Sequence, residues 1–494
     1  MNMAQVTHHY LNFIHALQME NIPLTVLQKA ECTLLDSCGV TAAGSRMKAA
    51  RIMNTFARQH YAHPPNISAE GKARLLFDGD SVSPGGAALA AGQAADSMDA
   101  HDGYHEIKGS HISSALLGGI LALGEVASNI NDLPPLTGDD LLIAWIIGQE
   151  MAIRFGCALQ STIPDVYIPS GLLGAIGIAA MGSRLLRLSH EQTRHALGIA
   201  ELHGPRIQTT NGWSVTIFPS MLKDTIGWGA MAGVNSILMA HEEFTGAPCG
   251  IVEEESLQPY FHDLGDRWRS LELYMKPVPC CRYAIPAVRN VLQLLEQDGQ
   301  PDGLSPDEVI EVEVTTFREA SLLGRDIPVP NSAEIAQYHV AWPVAAALVT
   351  GQLPGPQELS DDAIAHDTQT QKMCRKVKVV VKDDYTAAFP KRTLADVRIT
   401  FVDNRTIHLP ATDVVNKGKM QRGKGSETIL INEFDPDLGI CTQQILLDKF
   451  YRFANWGVGA KRAKQMQQVI FALHKGDKIA ATDFLDVMLT PFDN

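Results

Sequence analysis

The densest group of reactive side chains in the sequence lies between residues 99 and 111. This stretch, DAHDGYHEIKGSH, holds two aspartates, three histidines, a glutamate and a lysine within thirteen residues. Acidic and basic groups at this density can shift one another's pKa values, as general acid–base catalysis requires. A charged surface loop without a function has a similar composition, so both interpretations stay open on composition alone.

Two histidines of this stretch have the spacing of metal ligands on a helix. His101 and His105 are four residues apart, and His101 precedes Asp102, a dipeptide found in all-helical metal-dependent phosphohydrolases. Gly103 weakens a helix between them, and no second His/Asp pair with a supporting spacing occurs. We therefore predict no metal, and keep a metal-dependent hydrolase using His101, Asp102 and His105 as an alternative.

Two further polar segments lie beside predicted helices. His203 and Arg206 flank a Gly-Pro pair, which is either an ordinary helix stop or the mouth of a pocket. Lys223 precedes a helix rich in small residues. Because a lysine at a helix start opposes the helix dipole, this position alone favours a solvent-exposed side chain over an anion-binding one.

The segment KPVPCCRY, residues 276–283, lies where the character of the sequence changes. Its prolines predict a rigid connector, and Lys276, Cys281 and Tyr283 can face a cleft between domains, where ligands often bind. Cys281 has no adjacent base, so a buried structural thiol is favoured over a nucleophile. The glycines form no phosphate-binding motif, and we predict no cofactor.

The first 250 residues have the pattern of helices, several of them too apolar for a protein surface. Thr137 and Ser189 are typical N-cap residues. Gly227, Ala230 and Gly233 have a spacing that lets helix backbones approach. The predicted helices lie within residues 4–60, 85–95, 113–125, 137–158, 171–186, 189–202 and 221–243.

The second half of the chain alternates strands with helices. Strands are predicted at residues 309–317 and 377–382, and a hairpin at 396–402 and 405–409 around an Asp-Asn turn. Helical patterns at 284–296 and 341–349 lie between the strands, and a helical pattern returns from residue 442. We predict a mainly α protein in which residues 1–272 and 431–494 form a large all-helical domain and residues 273–430 an inserted α/β lid.

Composition restricts the partners. The chain has 494 residues, is 45% hydrophobic and carries a formal net charge of −14. This charge argues against nucleic acid or an anionic membrane as the main partner. The eight cysteines are scattered without a CxxC motif, which is typical of a reduced, cytoplasmic chain. We find neither a signal-peptide pattern nor an uninterrupted run of 18 apolar residues.

Six segments together resemble the MmgE/PrpD superfamily. They follow one another along nearly the whole chain: DAHDGYHEIKGSH, IRFG, YIPSGLLGAIGIAA, MLKDTIGWGAMAG, EEFTGAP and KPVPCCRYAIPAV. The resemblance implies a helical domain built from both chain ends, an inserted α/β lid, a homodimer, and neither metal nor organic cofactor. It also implies small di- or tricarboxylate substrates, and chemistry that begins with proton transfer next to a carboxylate.

The resemblance also assigns residues. Its acidic pair corresponds to Asp99 and Asp102, its loop histidine to His111 and its lysine to Lys223, and we add His105 as a candidate acid or base. Fixed cations would stabilise the negative charge that builds on the substrate carboxylate. The predicted substrate-binding residues are Lys108, His203, Arg206, Lys276, Cys281, Tyr283, Ile168 and Ile285.

Two of these positions depart from the superfamily pattern. Members usually carry histidines where this chain has Ile168 and Ile285. Three explanations are open. The proton work has moved to His105, His111, His203 or Tyr283, or the substrate has an apolar part that contacts the isoleucines, or catalysis is lost and only binding remains.

We predict a cofactor-independent lyase, a dehydratase or decarboxylase, acting on a small carboxylate. The alternatives are an isomerase or epimerase on the same substrates, an inactive dimeric binding protein of the same fold, and the metal-dependent hydrolase described above.

Overall fold

The computed structural model describes residues 3–64, 71–205, 220–413, 439–474 and 481–491. Helices in the first half are Met3–Ala16 (α1), Leu24–Gly44 (α2), Lys48–His60 (α3), Pro84–Ser97 (α4), Ile112–Asn129 (α5), Gly138–Thr162 (α6), Ser170–Leu185 (α7), His190–His203 (α8), Ile226–His241 (α9) and Gly250–Glu253 (α10). Those in the second half are Ile285–Gln297 (α11), Ala333–Gln337 (α12), Ala341–Thr350 (α13), Asp361–His366 (α14), Thr368–Cys374 (α15), Asp383–Ala388 (α16), Gly439–Ile470 (α17) and Ala481–Leu489 (α18).

The helix starts follow from the sequence. Thr137 and Ser189 each form a capping box, with Asp140 and Gln192 respectively, at the starts of α6 and α8. The predicted helix at 221–243 begins only at Ile226, because Thr225 adopts a left-handed conformation with φ 57°. Helix α17 is kinked at Gly459, where φ is 81°.

Short two-stranded pairs and one larger sheet complete the described fold. The strands are Ala73–Arg74 (β1), Ser81–Val82 (β2), Asp102–Gly103 (β3), Tyr274–Met275 (β4), Val309–Thr316 (β5), Val377–Val381 (β6), Leu394–Phe401 (β7) and Thr406–Asp413 (β8). β1 pairs with β2 and β3 with β4, and the four-stranded sheet has the order β6-β5-β7-β8. β5 runs parallel to β6, whereas β7 is antiparallel to both of its neighbours, so the predicted hairpin is confirmed.

Two large hydrophobic clusters hold these elements. The first joins residues of α1–α8 with residues of α17 and α18, so both ends of the chain share one core. The second is built from α11, α13 and the larger sheet. A helix-rich fold with small sheets is confirmed, while the division into a helical domain and a lid stays a prediction, and its boundary at residue 430 lies outside the described residues.

Helices α5 and α6 are long and apolar enough to cross a membrane by length and composition alone, and 89% and 100% of their most apolar windows are buried inside the protein. They are therefore core helices. Their neighbours approach closely through glycines: a Cβ on Gly92 of α4 would lie 2.8 Å from the Cα of Gly227 of α9. This contact brings the segment before α9 against the end of α4.

Candidate active site

The polar stretch 99–111 is a loop held between α4 and α5. Its strand β3 pairs antiparallel with β4, with Asp102 opposite Met275 and Gly103 opposite Tyr274. Gly103 permits this approach, since a Cβ there would lie 2.4 Å from the Tyr274 hydroxyl oxygen. The pairing brings the loop beside Lys276, the residue that follows β4.

Asp99 and Lys276 form a buried ion pair. Lys276 Nζ donates to Asp99 Oδ1 at 2.7 Å, and each residue is 1% exposed. Burial alone would raise the pKa of Asp99, but the Lys276 ammonium, with a further contribution from the Lys223 ammonium, outweighs it and holds that pKa well below its usual range. Asp99 is therefore ionised at neutral pH.

Two histidines converge beside this pair. The ring centroids of His101 and His111 are 4.6 Å apart. His101 Nε2 lies 2.7 Å from the carbonyl oxygen of Ala95, and His111 Nδ1 lies 2.7 Å from that of Asp102. Because a carbonyl oxygen can only accept, these nitrogens carry the protons and leave lone pairs on His101 Nδ1 and His111 Nε2.

Burial lowers the pKa of His101 to about 3, so this ring is neutral over the physiological range. Its Nδ1 lies 3.4 Å from Asp99 Oδ1. His111 is partly exposed, so its Nε2 is the better placed of the two lone pairs to take a proton from a bound molecule.

A second carboxylate faces His111. Asp224 Oδ2 lies 3.5 Å from His111 Nε2, and Asp224 is 1% exposed. Its other oxygen accepts a hydrogen bond from the Tyr167 hydroxyl. Burial and then the Asp224 charge raise the pKa of Tyr167 well above its usual value. The strained, left-handed Thr225 follows directly, and such strain is typical of functional segments.

Lys223 is buried, so the solvent-exposed interpretation of its position is wrong. Its Nζ donates to Gln337 Oε1 at 2.7 Å, and Gln337 Nε2 donates to the Ser97 carbonyl oxygen at 3.0 Å. The Gln337 backbone carbonyl oxygen also accepts from the Cys281 backbone N–H at 2.7 Å. The Gln337 side chain therefore ties Lys223 to the end of α4, and the Gln337 backbone adds a contact to the 276–283 segment.

Asp96 and Tyr338 complete the electrostatic surroundings. Burial raises the pKa of Asp96 to about 8, although the Lys223 ammonium acts in the opposite direction. Burial, followed by the charges of Asp99 and Asp224, raises the pKa of Tyr338 well above its usual value. At neutral pH the site therefore combines an ionised Asp99 with a mostly protonated Asp96.

Asp102 contacts the protein rather than the cluster. Its two carboxylate oxygens accept from the Ser113 backbone N–H at 3.1 and 2.9 Å, and one accepts from the Ser113 hydroxyl at 2.6 Å. These contacts satisfy an N–H in the first turn of α5. The geometry gives Asp102 the role of a helix cap, and its catalytic role stays a prediction.

Several predicted residues lie at the edge of this cluster or away from it. His105 is exposed and stacks on the Tyr274 ring, with centroids 4.5 Å apart. Lys108 is exposed and its Nζ lies 3.5 Å from Asp165 Oδ1, and His203 is exposed at the end of α8.

Tyr283 packs edge-on against Phe317. Arg206 lies outside the described residues.

Cys281, Ile168 and Ile285 also have defined surroundings. Burial raises the pKa of the partly exposed Cys281 thiol to about 12, as expected for a thiol that is not a nucleophile. Ile168 and Ile285 are fully buried, Ile168 in the first hydrophobic cluster and Ile285 in the second.

Three ligand-type side chains meet at metal-binding distances within the described residues. One atom each of Asp99, His101 and His111 lies within 4.8 Å of the others. These residues fit a divalent ion poorly, because the Lys276 ammonium already occupies Asp99 and would repel a cation. The set His101, Asp102 and His105 does not form such a group in the described part of the chain.

Sequence reasoning considered His101 only as a metal ligand, and it left out Asp224, Tyr167 and Gln337 as site residues. Asp224 and Tyr167 adjoin the candidates Lys223 and Ile168, and this adjacency is a signal that could have found them. Gln337 lies far along the chain in an unremarkable helix, and no pattern distinguishes it.

The chain matches the MmgE/PrpD N-terminal domain over residues 9–261 and the MmgE/PrpD C-terminal domain over residues 278–429. It belongs to the MmgE/PrpD family. Among its relatives is a cis-aconitate decarboxylase-like protein of Aspergillus oryzae, 23% identical over 73% of this chain and 78% of that protein. An alkylcitrate dehydratase of a fungal species is 23% identical over 84% and 86% of the two chains. The mouse cis-aconitate decarboxylase is 29% identical over 41% of this chain and 40% of its own length.

These relatives support a dehydratase or decarboxylase family, with lyase activity as the shared feature of the printed names. The N-terminal match ends before the 276–283 segment, and the C-terminal match begins within it, two residues after Lys276.

Proposed function

We propose that this MmgE/PrpD protein is a cofactor-independent lyase, a dehydratase or decarboxylase, acting on a small di- or tricarboxylate. The observation that carries the proposal is the buried cluster in which Lys223 and Lys276 lie with His111, Asp99 and Asp224. Burying a charged side chain without a partner costs free energy. Buried charged residues are therefore found mainly where they are paired with one another or where they take part in binding or catalysis.

The two lysines differ in their capacity to bind an anion. The charge of Lys276 is balanced by Asp99 at 2.7 Å, whereas the direct partner of Lys223 is the neutral amide of Gln337. Lys223 therefore has a positive charge available for a substrate carboxylate. Negative charge builds on that carboxylate when the adjacent carbon loses a proton, and a fixed ammonium stabilises it in the transition state.

His111 is the proposed acid–base residue. Its Nδ1–H donates to the Asp102 carbonyl oxygen, which fixes the ring and presents Nε2 as the base. When Nε2 has taken the proton, Asp224 at 3.5 Å stabilises the imidazolium by its opposite charge. In a dehydration the same proton is transferred to the departing hydroxyl group, which leaves as water. In a decarboxylation no proton is abstracted first: the bond to the departing carboxylate breaks, carbon dioxide leaves, and His111, protonated from solvent, donates a proton to the carbanion that remains.

The isoleucines favour a substrate with an apolar arm. The resemblance implies histidines in MmgE/PrpD members where this chain has Ile168 and Ile285, so two titratable groups give way to fully buried apolar side chains. An alkylcitrate, the substrate class in the name of one relative, combines carboxylates with such an arm. We also propose that the protein is cytoplasmic and forms a homodimer. Size-exclusion chromatography with light scattering tests the homodimer.

The first test is proton NMR of the purified protein in heavy water with citrate, 2-methylcitrate, longer alkylcitrates, cis-aconitate and iminodisuccinate. We expect deuterium to enter next to a carboxylate, together with loss of water or of carbon dioxide. Exchange without either loss would indicate an isomerase. No exchange with any compound would contradict the lyase proposal and favour the binding protein.

The second test is Lys223→Ala. We expect turnover to fall by about 10²-fold or more while the circular dichroism spectrum is unchanged. Lys378→Ala, which removes an exposed lysine from the sheet, is the matched control and should leave turnover intact. Full activity of Lys223→Ala would show that this lysine does not bind the reacting carboxylate.

A further inference from the structure

The C-terminal helix α17 reaches the backbone on both sides of the Asp99–Lys276 ion pair. Lys449 Nζ donates to the carbonyl oxygen of Ala100 at 2.9 Å, and the Arg452 guanidinium donates to that of Pro277. Ala100 follows Asp99 and Pro277 follows Lys276, so each contact lies one residue from a member of the pair.

We propose that Lys449 and Arg452 are positioning residues that hold Asp99 and Lys276 in register from the far end of the chain. The two are three residues apart and lie on one face of the helix. They supply fixed cationic donors to carbonyl oxygens of two segments that are 177 residues apart in sequence. This inference rests on the proposed function in that the paired groups belong to the proposed active site.

Both donors are themselves anchored. Lys449 is buried and its Nζ lies 2.6 Å from Asp36 Oδ1 of α2, so its position is fixed by an ion pair. Arg452 donates through a second nitrogen to the Leu353 carbonyl oxygen at 3.0 Å. Arg452 therefore joins the backbone after α13 to the segment that carries Lys276.

The expected consequence is geometric. Lys449 and Arg452 touch main-chain oxygens, whereas Asp99 and Lys276 carry the charges of the site. Catalytic groups need to be held within about 0.5 Å of their productive positions, and a displacement of about 1 Å can cost about 10²-fold in rate. Loss of either donor should therefore loosen the ion pair without removing any group that contacts the substrate.

The test compares Arg452→Met with Arg462→Met. Both arginines lie in α17, both are partly buried, and both donate to backbone oxygens. Arg462 contacts Val487 and Thr490, near the end of α18. We expect hydrogen–deuterium exchange measured by mass spectrometry to rise in peptides covering residues 98–104 and 274–281 for Arg452→Met, and near residue 490 for Arg462→Met. Unchanged exchange in the first two peptides would overturn the proposal.

The second arm measures kcat and KM with the substrate found by NMR. We expect kcat to fall at least about 10-fold in Arg452→Met. Arg452→Lys, which restores one cationic donor, should recover part of that loss, and Arg462→Met should retain wild-type kcat. Raised exchange with unchanged kcat would exclude a positioning role. If no carboxylate is turned over, the lyase proposal fails, while the exchange experiment still decides whether the contacts hold the ion pair.

Lys449 is tested together with its ion-pair partner Asp36, because removing Lys449 alone would leave the Asp36 charge buried and uncompensated. Asp36→Asn combined with Lys449→Met removes both charges, so the fold should survive. We expect raised exchange over residues 98–104 and a lower kcat. Exchange and kcat equal to those of the wild type would remove Lys449 from the proposal.

Discussion

Lys276→Met tests the buried ion pair at the centre of the site. The change keeps most of the side-chain length but leaves Asp99 in a fully buried position without its partner at 2.7 Å. Removing one member of a buried pair typically costs about 3–5 kcal/mol, because the remaining charge is uncompensated. We expect a loss of this size in the free energy of unfolding at pH 8.

The effect should depend on pH with a defined sign. In the wild type the pKa of Asp99 is depressed, so its stabilising contribution is present above the unfolded-state pKa of about 4 and is lost as the pH falls through the folded-state pKa. In Lys276→Met the unpaired, buried carboxyl should have a raised pKa. As the pH falls, this carboxyl becomes protonated and the cost of burying an unpaired charge disappears. The difference in the free energy of unfolding between Lys276→Met and the wild type should therefore shrink from pH 8 to pH 5.

Urea and thermal unfolding at pH 5, 6.5 and 8, followed by tryptophan fluorescence, measure this difference. Lys378→Met is the matched control, because the same substitution there breaks an exposed pair with Glu311 and should cost about 0–1 kcal/mol at any pH. The double change Asp99→Asn with Lys276→Met should recover most of the stability. A variant Lys276→Met as stable as the wild type at pH 8, or more destabilised at pH 5 than at pH 8, would refute the reasoning.

Three further predictions follow from the same geometry. Asp102→Ala should lower the free energy of unfolding by about 1–2 kcal/mol by removing the cap of α5, while Asp102→Asn should retain most of it; equal losses measured by urea unfolding would contradict the capping role. Ile285→His alone should give no 2-methylcitrate dehydration by NMR, because Ile168 is also changed; clear turnover would show that one histidine suffices. Incubation with a chelator should leave turnover unchanged, whereas a loss that zinc or manganese restores would favour the metal-dependent hydrolase.

The sequence was sufficient for the local structure and for the family. Helix periodicity and caps such as Thr137 and Ser189 depend on residues within one or two turns, so they can be read directly from the chain. The hairpin of β7 and β8 is also a local feature, because the alternating apolar and polar residues on both sides of the Asp-Asn turn predict it. Small residues at Gly92 and Gly227 marked helices that pack closely, although not which helix meets which.

Some residues of the site could be predicted from the sequence. Asp99, His111, Lys223 and Lys276 were all candidates, because the resemblance to MmgE/PrpD proteins assigned them position by position. Composition alone could not separate them from His105 and from other charged loop residues. All of them have side chains that commonly lie at the surface.

Only the tertiary structure decided which of these groups meet. Lys223 is buried because α9 packs on α4, and neither helix encodes that partner in its own periodicity. Gln337 joins three segments that lie far apart in sequence, and Asp102 turns to α5 instead of toward the histidines. Burial and charge pairing arise from contacts between distant segments. They set the protonation of Asp96, Asp99 and His101, which the sequence by itself could not determine.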